Sequence, residues 1–293
     1  MTPPHLNENL QGMDRPVAVV TGASRGVGRG IARALGGKNF IVYLTGRDLE
    51  ALTDAANEVT AAGGLGIAIQ CDHHDDAQVR AAFERVREES GRLDVLVNNA
   101  AAVDAKTLTA PGGFWQKPLA LADMMDVGLR SHYVAAYHAV PLMIETGGAL
   151  IAQISFYGAV SYQHGPAYGA AKAGTDKMSF DMAAELLEVD VAVVSIWPGM
   201  VLTDALKAIP EQHLPASARA SFAQFEHPEF TGLIIERLWR DPRRMSLSGE
   251  TLIAAELGKH YGVKDIDGKE PRSYAESKGS PSHRFIARPK TGR

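Results

Sequence analysis

Tyr168-Gly169-Ala170-Ala171-Lys172 sets a phenol and an ammonium four residues apart. On a helix that separation puts both on one face, where they can converge on a single ligand. A neighbouring cation favours phenolate, so the tyrosine is expected to titrate below its usual value of about 10 and to exchange a proton near neutrality. Ser155 precedes Tyr168 by thirteen residues and follows an apolar run, Ala149 to Ile154, that reads as a strand. A hydroxyl at the carboxyl end of such a strand stands where open α/β sheets bind ligands. Alone, Tyr-x-x-x-Lys is a common surface pair. With the serine in that place, Ser155, Tyr168 and Lys172 read as an acid/base centre.

A second set of residues could hold an anion. Thr21-Gly22-Ala23-Ser24-Arg25-Gly26-Val27-Gly28 follows an apolar run and opens a helical pattern reaching Leu35. A glycine-rich turn from strand to helix lets the backbone approach a pyrophosphate, and the helix N-terminal N–H groups stabilise its charge. The expected contacts are Gly22, Ser24, Arg25, Gly26, Val27 and Gly28. Leu44-Thr45-Gly46-Arg47 ends the next strand, where an acid would bind an adenosine 2′-hydroxyl and an arginine favours a 2′-phosphate. Arg47 with Arg25 therefore points to NADP(H). Asp48 is a rival acid about 20 residues past Gly28, but its place directly before the pattern Leu49 to Ala62 reads as a helix N-cap.

These residues need a sheet to position them. Short apolar runs at Val17 to Val20, Phe40 to Leu44, Leu65 to Gln70, Leu93 to Val97, Ala149 to Ile154, Val191 to Ile196 and Thr251 to Ala254 alternate with helical patterns such as Asp76 to Glu89 and Ala167 to Glu188. That alternation predicts a single Rossmann-type α/β domain, a doubly wound parallel sheet of about seven strands with helices on both faces. Its expected span is residues 15–268, after an extension at 1–14 and before a basic, polar tail at 269–293 that reads as solvated. Asp104 to Thr146 is expected to hold two helices separated by Pro111-Gly112-Gly113. The formal charge of −4 offers no basic field for nucleic acid. One cysteine, Cys71, excludes an internal disulfide. With no apolar run of membrane-spanning length and no leader pattern, a cytoplasmic enzyme is the expectation. Cys71-Asp72-His73-His74-Asp75-Asp76 does not read as a metal site, because adjacent residues cannot all converge on one ion; Asp75 with Gln78 reads as a helix-capping pair.

In order and spacing, Gly22-x-x-x-Gly26-x-Gly28, Asn98-Asn99-Ala100, Ser155, Tyr168-x-x-x-Lys172 and Pro198-Gly199-Met200-Val201-Leu202-Thr203 resemble the short-chain dehydrogenase/reductase family. The resemblance runs from about Pro16 to Tyr274. It implies a reaction in which NADPH delivers hydride to a carbonyl carbon, Tyr168 protonates the oxygen, Ser155 hydrogen-bonds it and Lys172 lowers the tyrosine pKa while holding the nicotinamide ribose. It further implies that Asp72 contacts adenine, Asn98 supports the sheet and Ala100 borders the adenosine ribose. Pro198, Gly199, Val201 and Thr203 would hold the carboxamide and phosphates. Members commonly pair through the tyrosine helix and the one before it, and the small residues Ala170, Ala171 and Gly174 agree with a homodimer or homotetramer.

Gly128 stands where the family usually carries an asparagine that binds a water linking the lysine to solvent. Val127-Gly128-Leu129-Arg130 with His132-Tyr133, together with Phe114-Trp115, Trp197-Pro198-Gly199 and Leu247-Ser248-Gly249, resembles the subgroup typified by dehydrogenase/reductase family member 1, which also carries glycine there. That subgroup implies NADPH-dependent reduction of apolar carbonyl compounds, so the expected partner is a small carbonyl or alcohol substrate. Phe156, Tyr157, Tyr162, Met200 and Leu206, with Trp115, are expected to border its cleft. His132, His138 and His164 read as surface or packing residues. Two other readings stay open: an NADP-binding sensor or scaffold without turnover, motivated by Gly128, and an NAD-linked alcohol dehydrogenase.

Overall fold

A computed structural model of the chain describes residues 10, 14–103, 108, 111–209, 221–281 and 285. Strands β1 (Val17–Thr21), β2 (Ile41–Gly46), β3 (Leu65–Gln70), β4 (Val95–Asn98), β5 (Ala149–Ile154), β6 (Val191–Trp197) and β7 (Thr251–Ile253) form one sheet. Every pairing is parallel, in the order β3-β2-β1-β4-β5-β6-β7. The order reverses between β1 and β4, the switch point at which open α/β sheets bind ligands. The long helices are α1 (Gly26–Gly36), α2 (Leu49–Ala61), α3 (Asp76–Ser90), α4 (Ser131–Thr146), α5 (Pro166–Leu186), α6 (Pro228–Arg240) and α7 (Ala254–Tyr261).

The central strands are apolar on both sides because both sides are covered. Ala18 and Val20 join Ile31, Leu35, Leu52, Phe230 and Leu257 on the face of α1, α2, α6 and α7. Val17 and Val19, one residue out of phase, join Val79, Phe83, Ala135, Met143 and Ala183 on the face of α3, α4 and α5. Asp48 caps α2 by accepting from the Ala51 N–H, and Asp75 caps α3 by accepting from Ala77 and Gln78. Both capping expectations therefore hold, and Asp48 is engaged in local structure.

The connection into α4 differs from expectation. Past Gly113 the chain makes single turns at Phe114–Gln116, Leu119–Ala122 and Asp123–Met125, and α4 begins only at Ser131. Residues 104–107 and 109–110, where the first expected helix would lie, are outside the described residues. The tail is not wholly solvated either. The Tyr274 N–H donates to the Tyr157 hydroxyl, and Phe285 lies 5.1 Å from the Phe180 ring on α5. The last expected strand residue, Ala254, instead starts α7.

Candidate active site

The glycine loop is built from β1 and β4 together. Asn99 and Ala100 both donate their N–H groups to the Thr21 hydroxyl, and the Asn99 amide donates to the carbonyls of Thr21 and Gly22. Gly22 turns with φ +65°, and a Cβ there would stand 2.8 Å from the Ala100 Cα. At Gly28 a Cβ would meet both the Asn99 amide and the Gly22 carbonyl at 2.5 Å. Only glycine fits either place. Asn99 and Thr21 thus shape the loop. Sequence reading assigns a role to Asn98 and Ala100 but passes over these two, since their part rests on contacts nearly 80 positions apart.

α1 starts from this loop with no side-chain cap and no acid in its first turn. Its N-terminal N–H groups and positive dipole end are therefore available to an anion. A Cβ on Gly26 would meet the Thr203 methyl at 3.7 Å, so the loop and the segment after β6 form two sides of one groove. Ser24 and Val27 are half-buried along it, and Arg25 and Arg47 are exposed at its β2 end. No ion pair holds either arginine among the described residues. Asp72, half-buried after β3, accepts from the His74 N–H. Asn98 donates its amide to the His132 carbonyl, tying β4 to α4. The groove's donors, small residues and exposed cations suit a phosphorylated dinucleotide.

The other wall follows β6. Val201 bridges to Glu226, the Glu226 N–H donates to the Met200 carbonyl, and the Leu202 N–H donates back to the Glu226 carbonyl. A Cβ on Gly199 would come within 2.7 Å of the Glu226 carboxyl. Burial pushes that carboxyl up to about 8, so near neutrality it is mostly uncharged beneath the Pro198-Gly199 turn. A glutamate far along the chain gives no sequence signal of this contact.

Ser155, Tyr168 and Lys172 meet where β5 abuts α5. Pro166 opens that helix, and Ala171, Lys172, Thr175, Ser179 and Ala183 are among the side chains it buries against the sheet. The Ser155 hydroxyl donates to the Lys172 carbonyl at 3.1 Å, while the Lys172 ammonium donates to the Ile154 carbonyl at 2.9 Å. These reciprocal bonds clasp strand end to helix. The ammonium lies 5.7 Å from the centre of the Tyr168 ring. Gly158 packs on that ring so closely that a Cβ would stand 2.6 Å away, and His164 meets its edge at 5.0 Å.

One expectation is corrected here. Burial raises the Tyr168 pKa above the ordinary phenol value. The Lys172 ammonium donates to the Ile154 carbonyl, and burial lowers Lys172 itself to about 8. The phenol therefore keeps its proton at neutral pH, the state needed by a proton donor.

A cleft of roughly 140 Å³ opens beside Tyr168, lined by Phe114, Leu119, Met124, Tyr162, His164 and Ala167, among others. Tyr162 borders it as expected. Tyr157 does not: it is fully buried, packed on Trp197 and bonded to Tyr274. Phe156 packs into that same cluster, and Trp115, 74% exposed, stands on Phe114 outside the lining. Met200 and Leu206 are half-buried and likewise outside it. His164, read as surface or packing, lines the cleft. His132 is fully buried, and desolvation drives it down to about 3, hence neutral. The structure also gathers His74, Asp123 and Asp126, whose ligand atoms lie within 4.8 Å of one another. All three are exposed, and their spacing in the chain gives no hint of it.

Gly128 sits in a break before α4, with φ +143°. Its carbonyl accepts from Thr175 on α5 and its N–H donates to the Ser131 hydroxyl. The Val127 carbonyl just before it accepts from the Ala102 N–H, binding the break to the segment after β4. A residue with a side chain is strained in this backbone.

A seven-stranded parallel sheet with an uncapped glycine-loop helix at its switch point defines a Rossmann-type dinucleotide fold. The chain belongs to the short-chain dehydrogenase family, whose model matches residues 16–214. It is accordingly an oxidoreductase of a family that uses nicotinamide cofactors. It is 40% identical over 271 residues to mouse dehydrogenase/reductase SDR family member 1, covering 89% of this chain and 87% of that one. The human protein of that name is 39% identical over 280 residues, covering 92% and 90%. These matches place the chain in that subgroup. Among solved structures, a single-site variant of the actinorhodin polyketide ketoreductase with NADPH superposes with a TM-score of 0.69 at 25% identity, covering 82% of this chain and 95% of that one.

Proposed function

We propose that the protein is an NADPH-dependent reductase of an apolar ketone or aldehyde, acting through Ser155, Tyr168 and Lys172. The observation that carries this reading is the clasp of Ser155 and Lys172 with the Tyr168 ring 5.7 Å from the ammonium, next to a cleft lined by the neighbouring Ala167 and His164. When bound, the nicotinamide supplies a hydride to the carbonyl carbon. Tyr168, kept protonated by burial, gives its proton to the carbonyl oxygen. Ser155 turns its hydroxyl from the Lys172 carbonyl to that oxygen as charge develops. Lys172 holds positive charge near the phenol and favours its loss of a proton. The 2′-phosphate goes to Arg25 and Arg47, because both are exposed without ion pairs among the described residues while Asp48 is engaged as a cap.

The cleft's Phe114, Leu119, Met124 and Tyr162, with Lys117 the one charged side chain among the described lining residues, favour a mainly apolar substrate. On the outer face of α4, Tyr133, Tyr137 and Ile144 form an exposed stripe suited to a second copy of the chain. The experiment is cofactor consumption against a panel of aldehydes, ketones, quinones and ketosteroids with NADPH and NADH in parallel. The expected result is NADPH oxidation with at least one apolar carbonyl compound. Tight NADPH binding without consumption would favour a sensor, and preferential alcohol oxidation with NAD would favour the dehydrogenase direction.

A further inference from the structure

Asp176 lies one helical turn beyond Lys172 on α5, as Lys172 lies one turn beyond Tyr168. It is fully buried. Its carboxylate accepts a 2.6 Å hydrogen bond from the Ser195 hydroxyl and 3.2 Å contacts from the Trp197 indole N–H, both on β6. Burying a carboxylate is costly unless donors and an opposite charge compensate it. Here the donors come from the strand that ends at the Pro198-Gly199 turn, and the opposite charge is Lys172, on the same helix face.

Lys172 has the complementary problem. Its ammonium is enclosed by β5, α4 and its own helix and has one carbonyl, that of Ile154, as its hydrogen-bond acceptor among the described residues. The titratable or charged groups facing it are Tyr168 and Asp176 on α5 and His132 on α4; β5 contributes only the neutral Ser155 hydroxyl and the Ile154 carbonyl. Tyr168 keeps its proton and His132 is neutral, so Asp176 carries the only carboxyl of the set.

We propose that Asp176 is a positioning residue for the reacting centre, a buried counter-charge that keeps Lys172 cationic beside Tyr168 and is itself held in place by Ser195 and Trp197. The proposal rests on the functional reading above. Desolvation alone drives a buried lysine toward its neutral form, and the Asp176 charge opposes it, leaving Lys172 at about 8. Without that charge the lysine would hold its proton less firmly near neutral pH, and the phenol would more often lack its cationic neighbour.

The test is the lysine titration itself, read by NMR of side-chain-labelled lysine in the cofactor-free protein. In the wild type Lys172 is expected to titrate near the value set by burial and Asp176. Asp176→Asn keeps an oxygen to accept from Ser195 and Trp197 and removes the charge, so the midpoint should fall by about one pH unit or more. The basic limb of turnover should move by the same amount, about fivefold less activity at pH 8 for a one-unit fall. A folded Asp176→Asn protein with an unmoved lysine midpoint overturns the proposal. Should that variant not fold, the wild-type Asp176 carboxyl resonance decides: it should report the Lys172 midpoint, and a carboxyl indifferent to that titration contradicts it. Because the lysine and carboxyl titrations are read without cofactor or substrate, they stand even if the reductase reading fails.

Discussion

Arg47 is the side chain on which the proposed preference for NADPH over NADH rests. It is exposed at the end of β2 with its guanidinium directed to no acid among the described residues, while its carbonyl accepts from Gln70. Arg47→Asp removes a charge-assisted partner and adds a repelling one, so NADPH affinity should fall roughly ten- to a hundredfold more than NADH affinity. Isothermal titration with both cofactors checks this, and equal losses would refute the assignment of Arg47 to the 2′-phosphate. The proposed reactive pair is visible in the chain because helix periodicity brings positions 168 and 172 together without any knowledge of tertiary contacts. Their electrostatics are not. Proximity to the lysine suggests a lowered phenol, whereas burial dominates and raises it, and burial is a property of the packed molecule. Asn99 and Glu226 escape sequence reading because each acts on a residue remote in sequence, and Asp176 because its burial and its Ser195 and Trp197 donors on β6 are tertiary features.

The break before α4 is an element-scale device. Gly128 adopts a backbone open to glycine, and two hydrogen bonds, one from Thr175 to its carbonyl and one from Ala102 to the Val127 carbonyl, join the break to α5 and to the end of β4. A Cβ there meets only Ala101, at 3.7 Å, so the obstacle is backbone conformation and not lack of room. Gly128→Asn should therefore cost about 1–3 kcal/mol of stability and leave turnover the same or lower. Thermal denaturation and turnover measured on one preparation check both halves; a variant equally stable and faster would show that the missing asparagine limits the enzyme. At this scale the strands are readable almost residue for residue, because fully buried parallel strands give unbroken apolar runs. The stretch from Phe114 to Arg130 is not. It is made of single turns stabilised by local contacts and by the cleft they border, and such turns carry no helical period. Tyr157 misleads for a related reason: it follows the strand that leads to Ser155, yet the tail residue Tyr274 closes over it and makes it core.

As a whole, the molecule presents the clasp, the groove and the cleft on one edge of the sheet, and leaves Tyr133, Tyr137 and Ile144 exposed on α4. Of the small residues expected to admit a neighbouring helix, Ala171 is buried and the space at Gly174 is filled by Leu129 of the same chain. The exposed Tyr133 and Tyr137, at 55% and 67%, carry the prediction instead. Sedimentation at micromolar concentration should show a dimer or tetramer, and Tyr137→Glu should shift it toward monomer; a monomeric wild type would refute this. The central claim is that a protonated Tyr168 completes carbonyl reduction by NADPH. Tyr168→Phe keeps the ring against Gly158 and His164 and removes only the hydroxyl. Turnover of the best carbonyl substrate should fall by about 10² to 10⁴ while NADPH binding persists; a Tyr168→Phe protein that reduces that substrate at the wild-type rate would contradict the mechanism.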